Sequence, residues 1–288
     1  EGITALSKNT SWTKLTTLIL SINNIGAEGA KCLSLNSSWV NLTTLNLGTN
    51  KIGDEGVEQF SKNSSWLLLT TLDLTNNNIN VQGAAWLSLN GSWINLTTLN
   101  LMNNNIGAGG INCLNRNKAW IDLTTLNLDK NNIGSEGAKL LSSNSNWLNL
   151  TTLNLGNNNI GDEGVKSLSK NILWLNLTTL QLYNNKISEV GAMWLSSNNS
   201  WTNLRSLNLD RNNFCDEGAE ELGKNCSWQQ LTTLSLISNK IRDFGAAKLS
   251  TNTSWTNLSA LNLTLNYISP QGKKFLTSRW PKLKISVQ

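Results

Sequence analysis

The chain has 288 residues, of which 39% are hydrophobic and only 14% are charged. Five of its 23 basic residues fall in 269–288, so the other 268 residues carry 18 basic and 18 acidic side chains. This balance excludes a basic surface for nucleic acid, and the apolar content excludes a disordered chain. No apolar run approaches the length of a membrane span, which predicts no membrane insertion. Asparagine is abundant, with 47 copies, and histidine is absent.

A tryptophan returns every 27 residues along the whole chain. These residues are Trp12, Trp39, Trp66, Trp93, Trp120, Trp147, Trp174, Trp201, Trp228 and Trp255. A fixed period of this length is typical of a stacked repeat protein, because one short unit cannot bury its own apolar edge.

Each repeat has the pattern of a strand followed by a short helix, shown here by residues 123–149. Apolar and polar residues alternate from Leu123 to Leu128, which predicts a strand. Gly137, Ala138 and Leu141 follow at helical spacing, and we expect the helix to end near Asn144. Acids such as Glu136 lie where the helix dipole favours negative charge.

Two invariant residue types have predicted structural roles. An asparagine follows every strand, and its amide can satisfy the backbone groups left unpaired where the chain turns inward. The tryptophans are expected to close the edge of the core opposite the helix starts, with each indole stacked near the next. The asparagine positions are 23, 50, 77, 104, 131, 158, 185, 212, 239 and 266.

The repeat "LxxLxLxxNxIxxxGAxxL" resembles the leucine-rich repeat, in the long subtype seen in ribonuclease inhibitor and the C-terminal domains of NOD-like receptors. The resemblance covers essentially all 288 residues. It implies an α/β solenoid shaped as a horseshoe, with a parallel β-sheet on the concave face and helices on the convex face. The concave face of this family is an extended docking surface.

We predict a single leucine-rich-repeat domain over 1–288 with about ten full 27-residue repeats. Residues 1–12 align with 28–39, so the sequence begins within a repeat (1–14) and further repeats are expected upstream. Such repeats would allow end-to-end association. Residues 269–288 depart from the period and are predicted to form a C-terminal cap, with an edge strand through Leu283, Ile285 and Val287.

The candidate partner-binding residues are those where the repeats disagree on the predicted concave face. Most outward positions hold small neutral residues, whereas Tyr, Met and Arg are the types enriched at interfaces. The exceptions are Asp73, Met102, Asp129, Lys130, Tyr183, Asp210, Arg211 and Ile237. They predict a protein partner of unknown identity.

Enzymatic, metal and cofactor chemistry is not indicated by the sequence. Without histidine, the chain lacks the commonest general base and metal ligand. Asp129 and Asp210 stand three strands apart, about 15 Å, too far for a glycosidase pair. No phosphate-binding loop is present, so we predict a non-enzymatic scaffold without cofactors.

The cysteines and the N-glycosylation motifs bear on the cellular compartment, and they point in opposite directions. The spacing of Cys32, Cys113, Cys215 and Cys226 predicts four unpaired thiols, which favours a cytoplasmic location. Against it stand 13 N-x-[ST] motifs, among them Asn36, Asn41, Asn63, Asn95 and Asn149. They keep open a secreted or cell-surface protein with a structural or adhesive role.

Two further functions have less support in the sequence. A strand-spaced threonine ladder (Thr17, Thr44, Thr71 and onwards) is compatible with ordered water or glycans, although Thr is simply a good strand residue. The role of a tight ribonuclease inhibitor is rejected, because the predicted face lacks the many acids that a basic target requires.

Overall fold

The computed structural model describes residues 2–287 and divides into two compact units. Unit 1 comprises residues 2–133 and 144–150, and unit 2 comprises residues 134–143 and 151–287. Both units alternate short helices with three-residue strands, which confirms the predicted α/β repeat architecture.

Unit 1 contains five helices and five strands within the described residues. The strands β1 to β5 pair in parallel with a shift of one repeat, so that Thr17 lies beside Thr44 and Thr98 beside Thr125. The elements are α1 Gly2–Ser7, β1 Thr17–Ile19, α2 Gly26–Ser34, β2 Thr44–Asn46, α3 Gly53–Ser61, β3 Thr71–Asp73, α4 Val81–Leu89, β4 Thr98–Asn100, α5 Gly107–Leu114 and β5 Thr125–Asn127.

Unit 2 continues the same alternation. Its strands also pair in parallel and in chain order, from Thr152 beside Thr179 to Ala260 beside Lys284. The last strand confirms the predicted strand near Leu283. The elements are α6 Gly134–Ser142, β6 Thr152–Asn154, α7 Gly161–Ser169, β7 Thr179–Gln181, α8 Glu189–Ser196, β8 Ser206–Asn208, α9 Cys215–Gly223, β9 Thr233–Ser235, α10 Asp243–Leu249, β10 Ala260–Asn262, α11 Pro270–Arg279 and β11 Lys284–Ser286.

The core of each unit lies between the strands and the helices. The middle leucine of a strand, such as Leu126 in β5, is fully buried, and the residues on either side of it are partly exposed. On α6 the buried positions are Gly137, Ala138 and Leu141, as the helical spacing predicts. Small residues at these positions allow close packing of neighbouring helices, since a Cβ placed on Gly164 of α7 would lie 3.1 Å from Cβ of Ala138 on α6.

The strands are shorter than the alternating pattern predicts. The sequence favours a strand over 123–128, whereas β5 holds only Thr125–Asn127. The backbone leaves the extended conformation soon afterwards, because the fourth position after the strand's central leucine has a positive φ in every repeat, as at Lys130 (55°) and Arg211 (53°). Asparagine tolerates this left-handed conformation better than most residues, which accounts for part of the asparagine content.

The asparagine after each strand connects consecutive repeats, as predicted. In unit 1, Asn50 accepts hydrogen bonds through Oδ1 from the backbone N–H groups of Asn23 (3.1 Å) and Ile25 (3.4 Å). Its Nδ2 donates to the carbonyls of Leu20 (2.8 Å) and Leu47 (2.9 Å). The side chain is buried, and it satisfies backbone groups of two neighbouring repeats at once.

A second row of asparagines, not predicted as structural, shapes the loop before each tryptophan. Asn63 accepts through Oδ1 from the N–H groups of Ser65 (3.0 Å) and Trp66 (3.1 Å). Its Nδ2 donates to the carbonyl of Ser34 in the preceding repeat at 2.8 Å. The buried members of this row are Asn36, Asn63, Asn90, Asn117, Asn144, Asn171, Asn198, Asn225 and Asn252.

Nine of the ten tryptophans pack into the core as predicted and are at most 1% exposed, whereas Trp12 is 45% exposed and does not follow the prediction. In unit 2 the rings of Trp228 and Trp255, and of Trp255 and Trp280, stack with centroids 6.4 Å apart and 10° between the planes. In unit 1, Phe60 instead lies between Trp66 and Trp93 with tilted rings. The buried indole nitrogens make no hydrogen bond, so these residues stabilise the repeats through packing.

Two kinds of turn lead into the helices. In the first, a residue with positive φ donates its N–H to the carbonyl of the next repeat's asparagine, as Gly53 does to Asn77 at 2.8 Å. In the second, an extended residue donates its N–H to an aspartate on the preceding helix, as Asn80 does to Asp54 at 2.7 Å. The first kind comprises Gly26, Gly53, Gly107, Gly134, Gly161 and Cys215, and the second comprises Asn80, Ser188, Arg242 and Ser269.

The four cysteines are unpaired thiols, as their spacing predicts. Within residues 2–287, no helix combines the length and the apolar character needed to cross a membrane.

Candidate protein-binding surface

The candidate surface consists of the outward side chains at the end of each strand and in the turn that follows; we call it the sheet face. Three positions per repeat contribute: the last strand residue, the residue two further on, and the one after that. The eight residues predicted from sequence are distributed over these positions in both units.

The last strand residue has a structural role in most repeats. Its side-chain oxygen accepts a hydrogen bond from the N–H group two residues later, as Asn46 does from Gly48 at 2.9 Å. Asp73 occupies this position and accepts from the N–H of Thr75 at 2.8 Å and from Nδ2 of Asn100 at 3.2 Å. The carboxylate of Asp73 therefore supports the turn, in addition to facing outward.

Asp129 is not on an accessible surface, contrary to the sequence prediction. Only 2% of the residue is exposed, and its N–H donates a hydrogen bond to Oδ1 of Asn127 at 3.1 Å. Because so little of the residue is accessible, Asp129 is removed from the set of candidate contact residues.

Asp210 is half-buried and is held within the sheet face. Its Oδ1 accepts from the hydroxyl of Ser235 at 2.5 Å and from the N–H of Ile237 at 2.8 Å. Its carboxylate thus joins two consecutive repeats of unit 2. The sheet face consequently presents fewer accessible carboxylate oxygens than its sequence indicates.

Lys130 and Arg211 occupy the turn position with positive φ and are exposed. The left-handed backbone turns these side chains out of the sheet plane. Within residues 2–287, neither the ammonium group of Lys130 nor the guanidinium group of Arg211 forms an ion pair. They therefore remain available to solvent or to a bound molecule.

Tyr183 lies across a glycine of the preceding repeat. A Cβ atom placed on Gly156 would come within 2.3 Å of Cζ and 2.5 Å of Cε1 of the Tyr183 ring. The tyrosine ring thus covers the backbone at Gly156, which is buried as a result. This contact limits the rotation of an interface-type side chain, which lowers the entropy lost when it binds a partner.

The structure brings four of the eight predicted residues together in unit 2. Tyr183, Asp210 and Ile237 occupy the same position in three consecutive repeats, whose strands β7, β8 and β9 pair in register. Arg211 adjoins them, since its N–H donates to the carbonyl of Ile237 at 2.7 Å. We call these four residues the Tyr183 cluster.

The remaining four residues lie in unit 1 and form no such group. Met102 is half-buried and neighbours the repeat of Asp129, because the N–H of Asn103 donates to the carbonyl of Asp129 at 2.8 Å. Asp73 lies one strand further away, and its carboxylate accepts a hydrogen bond from Nδ2 of Asn100. Since Asp129 is buried and Asp73 is hydrogen-bonded, Met102 and Lys130 are the two of these four residues whose side chains remain accessible.

Exposed aliphatic residues follow the tryptophans and were not among the residues predicted from sequence. The signal was present, because the residue after Trp is Val, Leu or Ile in six consecutive repeats. These residues are Val40, Leu67, Ile94, Ile121, Leu148 and Leu175, and all of them are exposed.

Comparison with known families decides the membership of the chain. The family model described as "Leucine Rich repeat" matches residues 13–34, 40–61, 68–88, 94–114, 121–142, 148–169 and 202–223. These segments cover more than half of the 288 residues. The chain belongs to the leucine-rich repeat family. The match is to the repeat in general, and the ribonuclease-inhibitor-like subtype stays a prediction.

Solved structures share the fold of this leucine-rich repeat protein at low identity. In the yeast Rad7 and Elc1 complex, one chain matches 96% of this protein over 71% of its own length, with 18% identity and a TM-score of 0.61. An internalin (InlF) from Listeria monocytogenes matches 99% over 93% of its length, with 19% identity and a TM-score of 0.53. No curated protein sequence matches the chain.

A third similar structure is the TLR13–ssRNA13 complex, with 21% identity and a TM-score of 0.53. The alignment covers 96% of this chain and 36% of the chain that it matches. At these identities the three structures establish the fold alone.

Proposed function

We propose that this leucine-rich repeat protein is a non-enzymatic protein-recognition scaffold that binds a protein partner through the Tyr183 cluster. The supporting observation is the restrained position of Tyr183 over Gly156, beside the exposed Arg211 and the partly exposed Ile237. Aromatic and Arg side chains on a rigid support are the usual centres of binding energy in protein interfaces.

Membership in the leucine-rich repeat family and the complexes formed by proteins of similar structure also support a role in binding a protein partner. The Rad7 chain is found in a complex with Elc1, which is a protein. The TLR13 complex contains RNA, but the present chain has balanced charge outside its last 20 residues, which disfavours a nucleic acid. A protein partner is therefore the better match for the mixed aromatic, basic and aliphatic character of the cluster.

The buried glycosylation motifs favour the cytoplasm over a secreted or adhesive role. Six of the 13 N-x-[ST] motifs have an asparagine that is buried in the second asparagine row. Asn90, for example, donates from Nδ2 to the carbonyls of Ser61 (2.7 Å) and Asn63 (3.2 Å). A glycan on this nitrogen would replace one of the two donors and would not fit the core. The six are Asn36, Asn63, Asn90, Asn198, Asn225 and Asn252.

A photo-crosslinking experiment tests the proposed surface. Benzoyl-phenylalanine is introduced at position 183 and, as a control, at exposed Lys139 on helix α6, and each protein is irradiated in lysate of its source organism. We expect protein adducts from position 183 and not from position 139. The partner is then identified by mass spectrometry and its affinity for the unlabelled protein is measured.

The measured affinity decides the placement of the site. We expect Tyr183→Ala and Arg211→Ala each to weaken the complex by about tenfold to a hundredfold, with Lys139→Ala unchanged. Unchanged binding by the Tyr183→Ala/Arg211→Ala variant would show that the Tyr183 cluster is not the site. The same adducts at both positions, or none at either, would contradict recognition by the sheet face.

A further inference from the structure

In unit 1, an exposed aliphatic side chain directly follows each of the buried tryptophans Trp39, Trp66, Trp93, Trp120 and Trp147. These side chains remain between 47% and 56% exposed, although each lies next to a fully buried indole. We call this row the loop ridge, which consists of Val40, Leu67, Ile94, Ile121 and Leu148.

Members of the loop ridge lie side by side in consecutive repeats. The carbonyl of Leu67 accepts a hydrogen bond at 2.8 Å from Nδ2 of Asn95, the residue directly after Ile94. The carbonyl of Ile121 accepts likewise from Asn149, directly after Leu148, at 3.2 Å. Since repeats follow one another at about 5 Å at the strands, the ridge is a continuous apolar strip about 20 Å long.

Folding does not require an aliphatic residue at this position. The equivalent residues of three unit 2 repeats are Thr202, Gln229 and Thr256, and the tryptophans before them are as deeply buried as those of unit 1. The scaffold therefore accepts polar residues here. Keeping five consecutive aliphatic side chains in water has no benefit for the isolated chain.

The surroundings of the loop ridge are almost uncharged. In the loops 37–42, 64–69, 91–96, 118–123 and 145–150, only Lys118 and Asp122 carry a charge. Such a strip offers little for electrostatic recognition of an ionic ligand. It is complementary to another neutral apolar strip.

We propose that the loop ridge is the core of a homodimer interface, with the loop ridge of a second copy as its occupant. The half-exposed side chains, together with the adjacent Leu68, offer about 400–500 Å² of apolar area per copy. A standard interface buries about 800 Å² per partner, of which somewhat more than half is apolar, so the ridge supplies an apolar core of the required size.

The regular spacing of the ridge favours a second copy over an unrelated partner. Each protomer presents one aliphatic side chain per repeat, so two ridges brought together by a two-fold axis have matching periods along their whole length. Symmetric, self-complementary patches of this kind are the commonest basis of homodimers. The interface uses the loops before the strands, which makes it separate from the Tyr183 cluster.

Analytical ultracentrifugation of the full chain over a range of concentrations tests this proposal. We expect a reversible monomer–dimer equilibrium with a dissociation constant of about 1–100 µM. The variant L67Q/I94T/I121T uses residue types that the chain already carries at equivalent positions. It is expected to weaken dimerisation by about thirtyfold or more, and Ile94→Thr alone by about tenfold.

The matched control is L35S/L89S, which removes two exposed leucines at the helix ends, where equivalent repeats carry Ser143 and Ser197. It should dimerise like the wild type, and circular dichroism should show the same unfolding temperature for all variants. A wild type that stays monomeric at about 300 µM, or a triple variant that dimerises normally, would overturn the proposal. So would a monomeric wild type that floats with neutral phosphatidylcholine vesicles, because the ridge would then be a lipid contact.

Discussion

Asp162 of α7 caps the helix of the following repeat through Ser188. Its Oδ1 accepts from the N–H groups of Ser188 (2.8 Å) and Gly191 (3.0 Å), and its Oδ2 accepts from the Ser188 hydroxyl at 2.6 Å. The hydroxyl of Ser188 in turn accepts from the N–H of Val190 at 3.1 Å. One carboxylate on one helix thus satisfies the N-terminal donors of the next, which couples the two repeats.

In each repeat, the presence or absence of this capping aspartate determines which residue type stands at the turn of the next repeat. Asp54, Asp162, Asp216 and Asp243 each follow the turn residue of their own repeat, and the turn residue of the next repeat is Asn, Ser, Arg or Ser. Where this position is not Asp, the next turn residue is Gly or Cys. The capped turn is extended and accepts ordinary residues, whereas the uncapped turn needs positive φ and favours glycine.

We predict that Asp162→Ala destabilises unit 2 by about 1–2 kcal/mol, because the N-terminal N–H groups of α8 lose their acceptor. Thermal unfolding followed by circular dichroism measures the change. The matched control is Glu163→Ala, which removes the neighbouring exposed carboxylate and its pair with Lys166 and should cost much less. Equal losses in both variants would contradict the capping role.

The pKa of Asp243 lies below its ordinary value, chiefly because the hydroxyl of Ser269 donates to its carboxylate, with further donation from the N–H groups of Ser269 and Gly272. A lowered folded pKa contributes stability that is present above the unfolded value, near 3.8, and is lost as the pH falls through the folded value. We predict that Ser269→Ala raises the pKa of Asp243 towards its ordinary value. A carboxyl-detected NMR titration measures it, and an unchanged titration would contradict the assignment.

Asn185 bonds to two repeats of unit 2, and we predict that Asn185→Ala destabilises the protein by about 3–5 kcal/mol. The variant removes the acceptor of the Asn158 and Ile160 N–H groups and the donor to the carbonyls of Leu155 and Tyr183. Urea unfolding provides the free energy. Asn203→Ala is the control, since this exposed asparagine donates to the carbonyl of Leu175 alone, and a comparable loss there would contradict the prediction.

Passage through a secretory pathway should damage this protein, because glycans would be attached to the buried asparagines before folding. We expect a poor secreted yield from a eukaryotic host, and a several-fold rise when the buried motifs are removed without altering their amides. The substitutions are Ser38→Ala, Ser65→Ala, Ser92→Ala, Ser200→Ala, Ser227→Ala and Ser254→Ala. Removing the exposed motifs at Asn41, Asn95 and Asn149 with glutamine should leave the yield low. Full secretion with glycan on Asn36 would contradict the expectation.

Most of the fold could be predicted from sequence because the same pattern of apolar, polar and glycine positions recurs in ten repeats. The alternation from Leu123 to Leu128 predicts a strand, and Gly137, Ala138 and Leu141 predict a helix; both are present. The length of the strand could not be predicted, since leucine and asparagine are compatible with both an extended and a turning backbone. Only the hydrogen bonds to the next repeat's turn decide where the strand ends.

The candidate site was predictable in part. Tyr183, Arg211 and Ile237 lie together as their spacing indicates, because a period of 27 residues converts sequence distance into neighbouring positions. The prediction that Asp129 is accessible was wrong, because the residue is buried. The carboxylates of Asp73 and Asp210 face the surface but accept hydrogen bonds from within the protein. The sequence does not distinguish an aspartate whose carboxylate faces solvent from one whose carboxylate accepts a hydrogen bond from a backbone N–H.

The sequence by itself determined the repeat, its strand–helix order, the roles of the first asparagine row and of the tryptophans, and the unpaired state of the cysteines. These follow from local alternation and from a fixed period, which bring equivalent residues side by side. Only the tertiary structure decided which asparagines are buried and which aspartates cap the following helix. It also decided which aliphatic side chains stay in water. These properties depend on contacts with the adjacent repeat, whose direction a one-dimensional pattern does not contain.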